Sequence, residues 1–343
     1  MACCMDMPQR ETVDGPTEGE LHTGFLLDGR FRLDEVIGRS GMATIYDAQD
    51  LRTGERVAVK VPKMKIESDP VSYGRFQREG RIGSLLNDPS LLQFIPLDFP
   101  QSRPYIVTEL LDGCTLAWVM HRVRPLAEAD ALKIASAVSE GLRAMHRRGF
   151  IHRDIKPGNI MICRDGRLCL MDFGLAEEND EGRGLLAGLT PLFGTPEYMA
   201  PEQVANRRND QRTDIYSLGV VLYEMLTGRL PFEAQDVWSA AHMRVNGDPL
   251  PLRSLNSFVT PEAEEIVLHA MRRDPKERYQ SAAELKRDLD LPDRVHVTGL
   301  SQRLQAPRWR LSLQGTPILS GIVIGLVSLA SMVGLFFVLM HLR

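Results

Sequence analysis

Cysteine is scarce in this chain: five among 343 residues, at positions 3, 4, 114, 163 and 169. The count is odd, no pair has zinc-finger spacing and no histidine cluster accompanies them. That excludes a disulfide-stapled scaffold and a structural zinc site, and the five read as reduced thiols. Charge of one sign is also lacking. Lys plus Arg is 41, Asp plus Glu is 45, and the net charge is −4. A global basic surface of the kind nucleic acid binding uses is therefore excluded. Internal repeats are absent, and Gly (28) and Pro (21) are too ordinary in number for collagen-like or linker-like classes. Hydrophobic residues reach 43% and charged residues 25%, which excludes wholesale disorder. The length allows about two domains.

What is present falls into three stretches. Residues 1–24 are polar, have no apolar run and do not read as a secretory signal; they are expected to be a flexible leader. From Phe25 to about Leu111 the pattern is short and β-branched, with strands expected near Phe31–Leu33, Val36-Ile37, Thr44–Tyr46, Val57–Val59, Leu92–Ile95 and Tyr105–Thr108. One helix is expected in that stretch, near Ser72–Leu86. Beyond Leu116 the period becomes helical. Ala131, Leu132, Ile134, Ala135, Val138, Leu142 and Met145 mark one face of a helix over Ala127–Arg148. Further helices are expected at Tyr216–Thr227, Pro261–Arg272 and Ser281–Leu289.

Near the end, Ile318–Met340 runs 23 residues without a charge. At ~1.5 Å per residue it spans about 34 Å, enough for a hydrocarbon core of about 30 Å. A transmembrane helix is expected there. Arg303, Arg308 and Arg310 flank it on the N-terminal side with no acid, and Trp309 suits the headgroup layer. The positive-inside rule then places residues 1–317 in the cytoplasm and the C-terminus outside. Gly321 and Gly325 have the small-xxx-small spacing that lets two such helices pack, so a homodimer is a possible partner state.

The chemistry-bearing residues come in order. Ile37-Gly38-Arg39-Ser40-Gly41-Met42-Ala43 joins two strands, and its glycines let backbone N–H groups approach phosphates. Val57-Ala58-Val59-Lys60 ends a buried strand in an ammonium that needs an anion, either ligand phosphates or Glu79 on the next helix. Asp154, Lys156 and Asn159 share one loop: a carboxylate to accept a hydroxyl proton, a cation for a transferring phosphoryl group, and an amide oxygen for Mg²⁺. Asp172-Phe173-Gly174 follows a strand, and its glycine is expected to allow a turn that presents the carboxylate to metal.

In this order, with Ala200-Pro201-Glu202, these residues resemble a protein-kinase catalytic domain over about Phe31–Leu289. Lys156 and Gly194-Thr195-Pro196-Glu197-Tyr198 resemble the serine/threonine class, in the style of the bacterial eukaryotic-like kinases. The resemblance implies an α+β, bilobal fold with a small β-rich N-lobe (25–111) and a larger α-helical C-lobe (112–290). A juxtamembrane linker (291–317), the transmembrane helix (318–340) and a three-residue tail complete the expected organisation. It implies transfer of the γ-phosphate of ATP to Ser/Thr hydroxyls of protein substrates and of the chain itself, with Mg²⁺ or Mn²⁺.

By the same resemblance, Lys60 holds the α- and β-phosphates and is positioned by Glu79, Asp154 deprotonates the acceptor hydroxyl, and Lys156 steadies the γ-phosphate. Asn159 and Asp172 bind metal. Ile45 and Ala58 join the phosphate loop in holding the nucleotide, and Thr108, Glu109 and Leu111 form the adenine hinge with Thr108 as gatekeeper. Asp214 braces the catalytic loop, Glu202 pairs with Arg278, and Arg153 pairs with a phosphate on the activation segment. Thr190 is the expected autophosphorylation site, and Thr195 the residue that contacts the catalytic loop and substrate.

Two departures from the family pattern stand out. Gly38, Ser40 and Ala43 occupy three positions where the family prefers glycine. Side chains there are expected to weaken nucleotide binding or slow closure. The alternative reading is a membrane-anchored pseudokinase scaffold with an impaired loop. Gly80 and Gly83 sit in the Glu79 helix at about 1 kcal/mol each relative to Ala, so that helix is expected to be loosely held. The acidic run from Glu177 reads as a solvated loop or as a patch selecting basic substrates.

Overall fold

Alternation of apolar and polar residues builds the first sheet. In the computed structural model, which describes residues 20–178, 195–207, 209–233 and 236–304, strands β1 (Leu26–Leu27), β2 (Phe31–Arg39), β3 (Ala43–Asp50) and β4 (Arg56–Pro62) follow in succession. Helices α1 (Met64–Glu67) and α2 (Pro70–Leu85) come next, then β5 (Ile106–Glu109). The five strands form one antiparallel sheet in chain order. Phe31 and Leu33 of β2 face inward while Arg32 and Glu35 stay in solvent. Inward residues of β2–β5 close a small core of Phe31, Leu33, Tyr46, Val57, Val59 and Val107. The run at Leu92–Ile95 holds one isolated bridge, Phe94 to Thr108, next to that of Leu91 with Leu170, and is no strand of its own.

Helix α2 begins where the sequence signals it. Asp69 accepts from the amides of Val71 (3.4 Å) and Ser72 (3.1 Å), and Pro70 takes the first helical position.

The larger lobe starts with β6 (Gly113–Thr115), α3 (Leu116–Arg122) and α4 (Glu128–Arg147). Next come the short strands β7 (Phe150–Ile151), β8 (Ile160–Cys163), β9 (Leu168–Leu170) and β10 (Glu177–Glu178). Strands β6, β8 and β9 form one small antiparallel sheet and β7 pairs with β10. Helices α5 (Pro201–Val204), α6 (Gln211–Thr227), α7 (Val237–Asn246), α8 (Leu252–Leu255), α9 (Pro261–Ala270) and α10 (Ala282–Asp290) complete the lobe. The predicted apolar face of α4 is buried throughout. In α6 every residue from Thr213 to Leu226 is buried, so it runs through the lobe's core as the axis on which the loops hang. Asp210 caps its start, and Gly228, at φ +72°, ends it in the left-handed conformation that glycine tolerates.

Both ends of the lobes extend past the expected boundaries. Glu20 and Leu21, in the expected leader, pack on the sheet: Tyr46 Oη donates to the Leu21 carbonyl (3.1 Å) and accepts from its amide (3.0 Å). The expected linker starts as two 3-10 turns, Pro292–Arg294 and Leu300–Arg303. There Thr298 Oγ1 (2.5 Å) and the Leu300 amide (3.2 Å) donate to Glu265 of α9. Among the described residues no helix is long and apolar enough to cross a membrane. The expected span Ile318–Met340 lies outside the described residues, as does Thr190.

Candidate active site

Lys60 lies on β4 between Ile45 of β3 and Ile106 of β5. Its Nζ donates to both oxygens of Glu79 at 2.6 Å, and Glu79 is buried on α2. Burial disfavours the ammonium, yet Glu79 and Asp172 outweigh it and raise the Lys60 pKa. Asp172 stays ionised. Burial would lift its pKa, but Lys60, the Gly174 amide and Lys156 hold it below the usual carboxylate range. Glu79 is pulled both ways, with burial and the Asp172 charge pushing its pKa up against the attraction of Lys60.

The backbone turn at this site differs from the expectation. Asp172 itself is left-handed, at φ +64°, and Gly174 is not. Gly174 supplies room instead. A Cβ there would lie 3.3 Å from Asp172 Oδ1 and 3.7 Å from Glu79 Oε2, which places the two carboxylates on one glycine.

On the catalytic loop, Lys156 Nζ bridges Asp154 Oδ2 (2.7 Å) and Thr195 Oγ1 (2.8 Å). The Thr195 amide donates to Asp154 Oδ1 at 3.2 Å. Asn159 Nδ2 donates to the Asp154 carbonyl (2.8 Å) and to Asp154 Oδ2 (3.1 Å), which leaves its amide oxygen as the free acceptor. The Met171 amide donates to the Asn159 carbonyl at 2.9 Å and ties this loop to the segment between β9 and Asp172. An amide oxygen and a carboxylate are the donor types that suit a hard divalent cation bringing further oxygen ligands on its phosphates.

Asp214 holds the loop from α6. It accepts from the amides of His152 (2.9 Å) and Arg153 (2.8 Å) and meets His146 Nε2 at 2.8 Å. Arg153 is left-handed, at φ +69°, a conformation that costs a side-chain-bearing residue about 1–2 kcal/mol. Asp214 captures the two amides that this turn exposes. His152 is wholly buried; its Nδ1 accepts from the Asp154 amide (3.3 Å), so Nε2 carries the proton toward the Met171 carbonyl (3.1 Å). Its ring meets Phe173 edge-on at 5.8 Å, and Phe173 stacks on Phe94 at 5.7 Å.

The phosphate loop corrects one expectation. Ala43 is buried in β3, opposite Pro62, and no residue from Gly38 to Ala43 has a positive φ. Its methyl therefore strains nothing. Ser40 turns its hydroxyl inward, accepting from the amides of Met42 (3.2 Å) and Ala43 (3.0 Å) and donating to the Ala43 carbonyl (3.2 Å). It braces the loop. Arg39 is paired with Glu20 (2.6 and 2.9 Å), which also accepts from Thr44 Oγ1 (3.0 Å). At the hinge, Ala58 faces Thr108 across the sheet, and Arg167 takes up the Glu109 carboxylate (2.6 and 3.1 Å). Leu111 follows free of backbone partners among the described residues.

Two further expectations change. Helix α2 is engaged. A Cβ at Gly83 would sit 2.3 Å from the Phe94 ring, and one at Gly80 would sit 3.3 Å from Ile106. The glycines admit close neighbours, and the Lys60–Glu79 pair is formed. Arg153 pairs with Glu177, and Arg81 of α2 meets Glu178 at 3.2 Å. The first two acids of the supposed loop thus form β10 and bridge the catalytic loop to α2. Glu202 and Arg278 pair as expected, bidentate at 2.7 Å and buried. Phe94, Glu177, Glu20 and Arg244 of α7 were not legible as site residues, since only long-range packing brings each to its partner.

Comparison with known proteins agrees with this geometry. Residues 31–288 match the family model of the protein kinase domain. The chain is 37% identical over 298 residues to serine/threonine-protein kinase PknB of Mycolicibacterium smegmatis, covering 86% of this chain and 47% of that protein. It is 35% identical, with the same coverage, to PknB of Mycobacterium tuberculosis. A probable serine/threonine-protein kinase of Streptomyces coelicolor is 38% identical over 268 residues, 77% of this chain and 40% of that protein. The chain spans less than half the length of these curated relatives. A two-lobed fold, a strand lysine paired to a helix glutamate, an acid–lysine–asparagine loop and a buried aspartate that favours the lysine's charge all lie within the matched span, and the chain belongs to the protein kinase family.

Proposed function

We propose that this chain is a serine/threonine protein kinase that transfers the γ-phosphate of ATP to hydroxyls of protein substrates and of its own activation segment, at Thr190. The observation that carries the reading is the assembly around Asp154. Its carboxylate is held by Lys156, Asn159 and the Thr195 amide, within one fold with a formed Lys60–Glu79 pair. Lys60 is placed to hold nucleotide phosphates, and Lys156 to offset charge on the group in flight. Asp154 orients the acceptor hydroxyl and accepts its proton. A divalent cation held by Asn159 and Asp172, Mg²⁺ or Mn²⁺, would neutralise phosphate charge. Thr195, hydrogen-bonded to Lys156, supports a peptide acceptor and a serine/threonine preference. The ordinary backbone of Ala43 and the complete set of catalytic side chains speak against the pseudokinase reading.

The apolar run Ile318–Met340 supports a single-pass anchor in the lipid bilayer, with the kinase domain in the cytoplasm and the C-terminus outside, in bacterial signalling. Gly321 and Gly325 support a homodimer through that helix. The test of activity is incubation of the full chain with Mg-ATP, followed by phosphosite mapping. Phosphoserine or phosphothreonine in the wild type, reduced about 10²–10³-fold in Lys60→Met and Asp154→Asn, is the expected result. Equal labelling of all three chains would overturn the reading.

A further inference from the structure

Arg244 of α7 is the largest wholly buried side chain among the described residues. Its Nη1 donates to the Pro196 carbonyl at 2.5 Å and its Nη2 to the Glu197 carbonyl at 2.7 Å. Its Nε finds no partner, and its guanidinium carbon lies 5.6 Å from the centre of the Phe232 ring. Tyr216 of α6 lies beside it and favours its charge. Among the described residues no carboxylate forms an ion pair with it. A buried cation without a contacting carboxylate is costly, and here carbonyl dipoles, aromatic faces and the charge of Glu197 carry part of the compensation. Moving the 196–197 backbone away would strip those dipoles off, so the arginine resists such movement.

The loop it holds begins at the reaction centre. Thr195 donates its amide to Asp154 and accepts from Lys156, Pro196 and Glu197 are pinned by Arg244, and Tyr198 Oη donates to Glu224 of α6 at 2.7 Å. Three successive anchors thus fix residues 195–198, and Arg244 ties their middle to α7. The planar fork matches two neighbouring carbonyls, which a lysine's point charge cannot do.

We propose that Arg244 is a positioning residue for the protein acceptor: its fork on the Pro196 and Glu197 carbonyls fixes the acceptor-binding loop against Asp154. This rests on the reading of the chain as a protein kinase. The acceptor's Michaelis constant then depends on Arg244, and that of ATP, bound through Lys60 and the hinge, does not.

The test uses the full chain with two variants, Arg244→Gln and Arg244→Lys. Acceptors are dephosphorylated casein and the full-length Asp154→Asn chain, and kcat is normalised to nucleotide-binding sites. The expected result is a KM for the acceptors raised at least tenfold in Arg244→Gln and less in Arg244→Lys, with the KM for Mg-ATP within twofold of wild type. Hydrogen exchange over residues 195–199 is expected to quicken in Arg244→Lys, a readout that stands even where Arg244→Gln fails to fold. Unchanged acceptor KM with unchanged exchange overturns the proposal alone, as do acceptor and ATP constants rising in step. No transfer by the wild type overturns the kinase reading and this proposal with it.

Discussion

Asp214 is wholly buried and yet charged, because every direction around it offers a donor. Burial would lift its pKa, but the hydrogen bonds from His146 and the Arg153 amide hold it below the usual carboxylate value. A carboxyl depressed by folding contributes stability above its unfolded pKa of about 3.9, and loses that contribution as pH falls through the folded value. Asp214→Asn is therefore expected to cost about 1.5–3 kcal/mol at pH 7, and the gap to wild type to begin narrowing below about pH 4. Urea midpoints at pH 7 and at pH 3.5 measure both halves of that statement. Asp214 was legible in the sequence from its motif. Its three partners were not, since 61 to 68 residues separate them from it in the chain.

Helix α2 contains glycines whose meaning depends on what surrounds them. Gly74 has open space where a Cβ would go, whereas Gly83 has the Phe94 ring. Propensity alone assigns the same gain to Ala at either place. With packing included the signs separate. Gly74→Ala is expected to stabilise by up to about 1 kcal/mol. Gly83→Ala is expected to destabilise by about 1–3 kcal/mol and to lower kcat/KM for ATP, through a displaced Glu79. Thermal unfolding and ATP kinetics of the two variants decide it, and Phe94→Leu is expected to restore part of the loss in Gly83→Ala.

Strand β10 makes a second element-scale case. Glu177 already neutralises Arg153, so Thr190→Ala is expected to lower activity by less than tenfold. Combined with Glu177→Gln, the loss is expected to exceed the product of the single losses. A double-mutant cycle on kcat/KM measures the coupling.

At the scale of the whole molecule, the proposed anchor would join the proposed kinase to a membrane surface. An arginine at the bilayer centre costs about 2.5–3.5 kcal/mol. The double variant Leu326→Arg, Leu329→Arg is expected to move the full chain from the membrane to the soluble fraction after carbonate extraction, while the wild type stays with the membrane. The two lobes, by contrast, need no such partner. Buried α6 provides the larger one with an apolar axis, and the small lobe closes its own core beneath the sheet.

The sequence by itself determined the two lobes, the five longer helices named from their patterns and the order of the candidate catalytic residues; α3, α7 and the one-turn helices carried no such pattern. Period, caps and motifs are local properties, and α2, α4, α6, α9 and α10 lie within a few residues of where their patterns place them. It also determined that Lys60 needs an anion, because its strand is apolar. Only the tertiary structure decided which groups meet across the fold: Phe94 in the space of Gly83, Glu177 on Arg153, Glu20 on Arg39, and Arg244 beneath the 196–197 carbonyls. It also decided that Ala43 is harmless, since φ at one residue follows from the strand pairing around it. Such contacts are set by packing between distant segments, and no spacing along the chain encodes them.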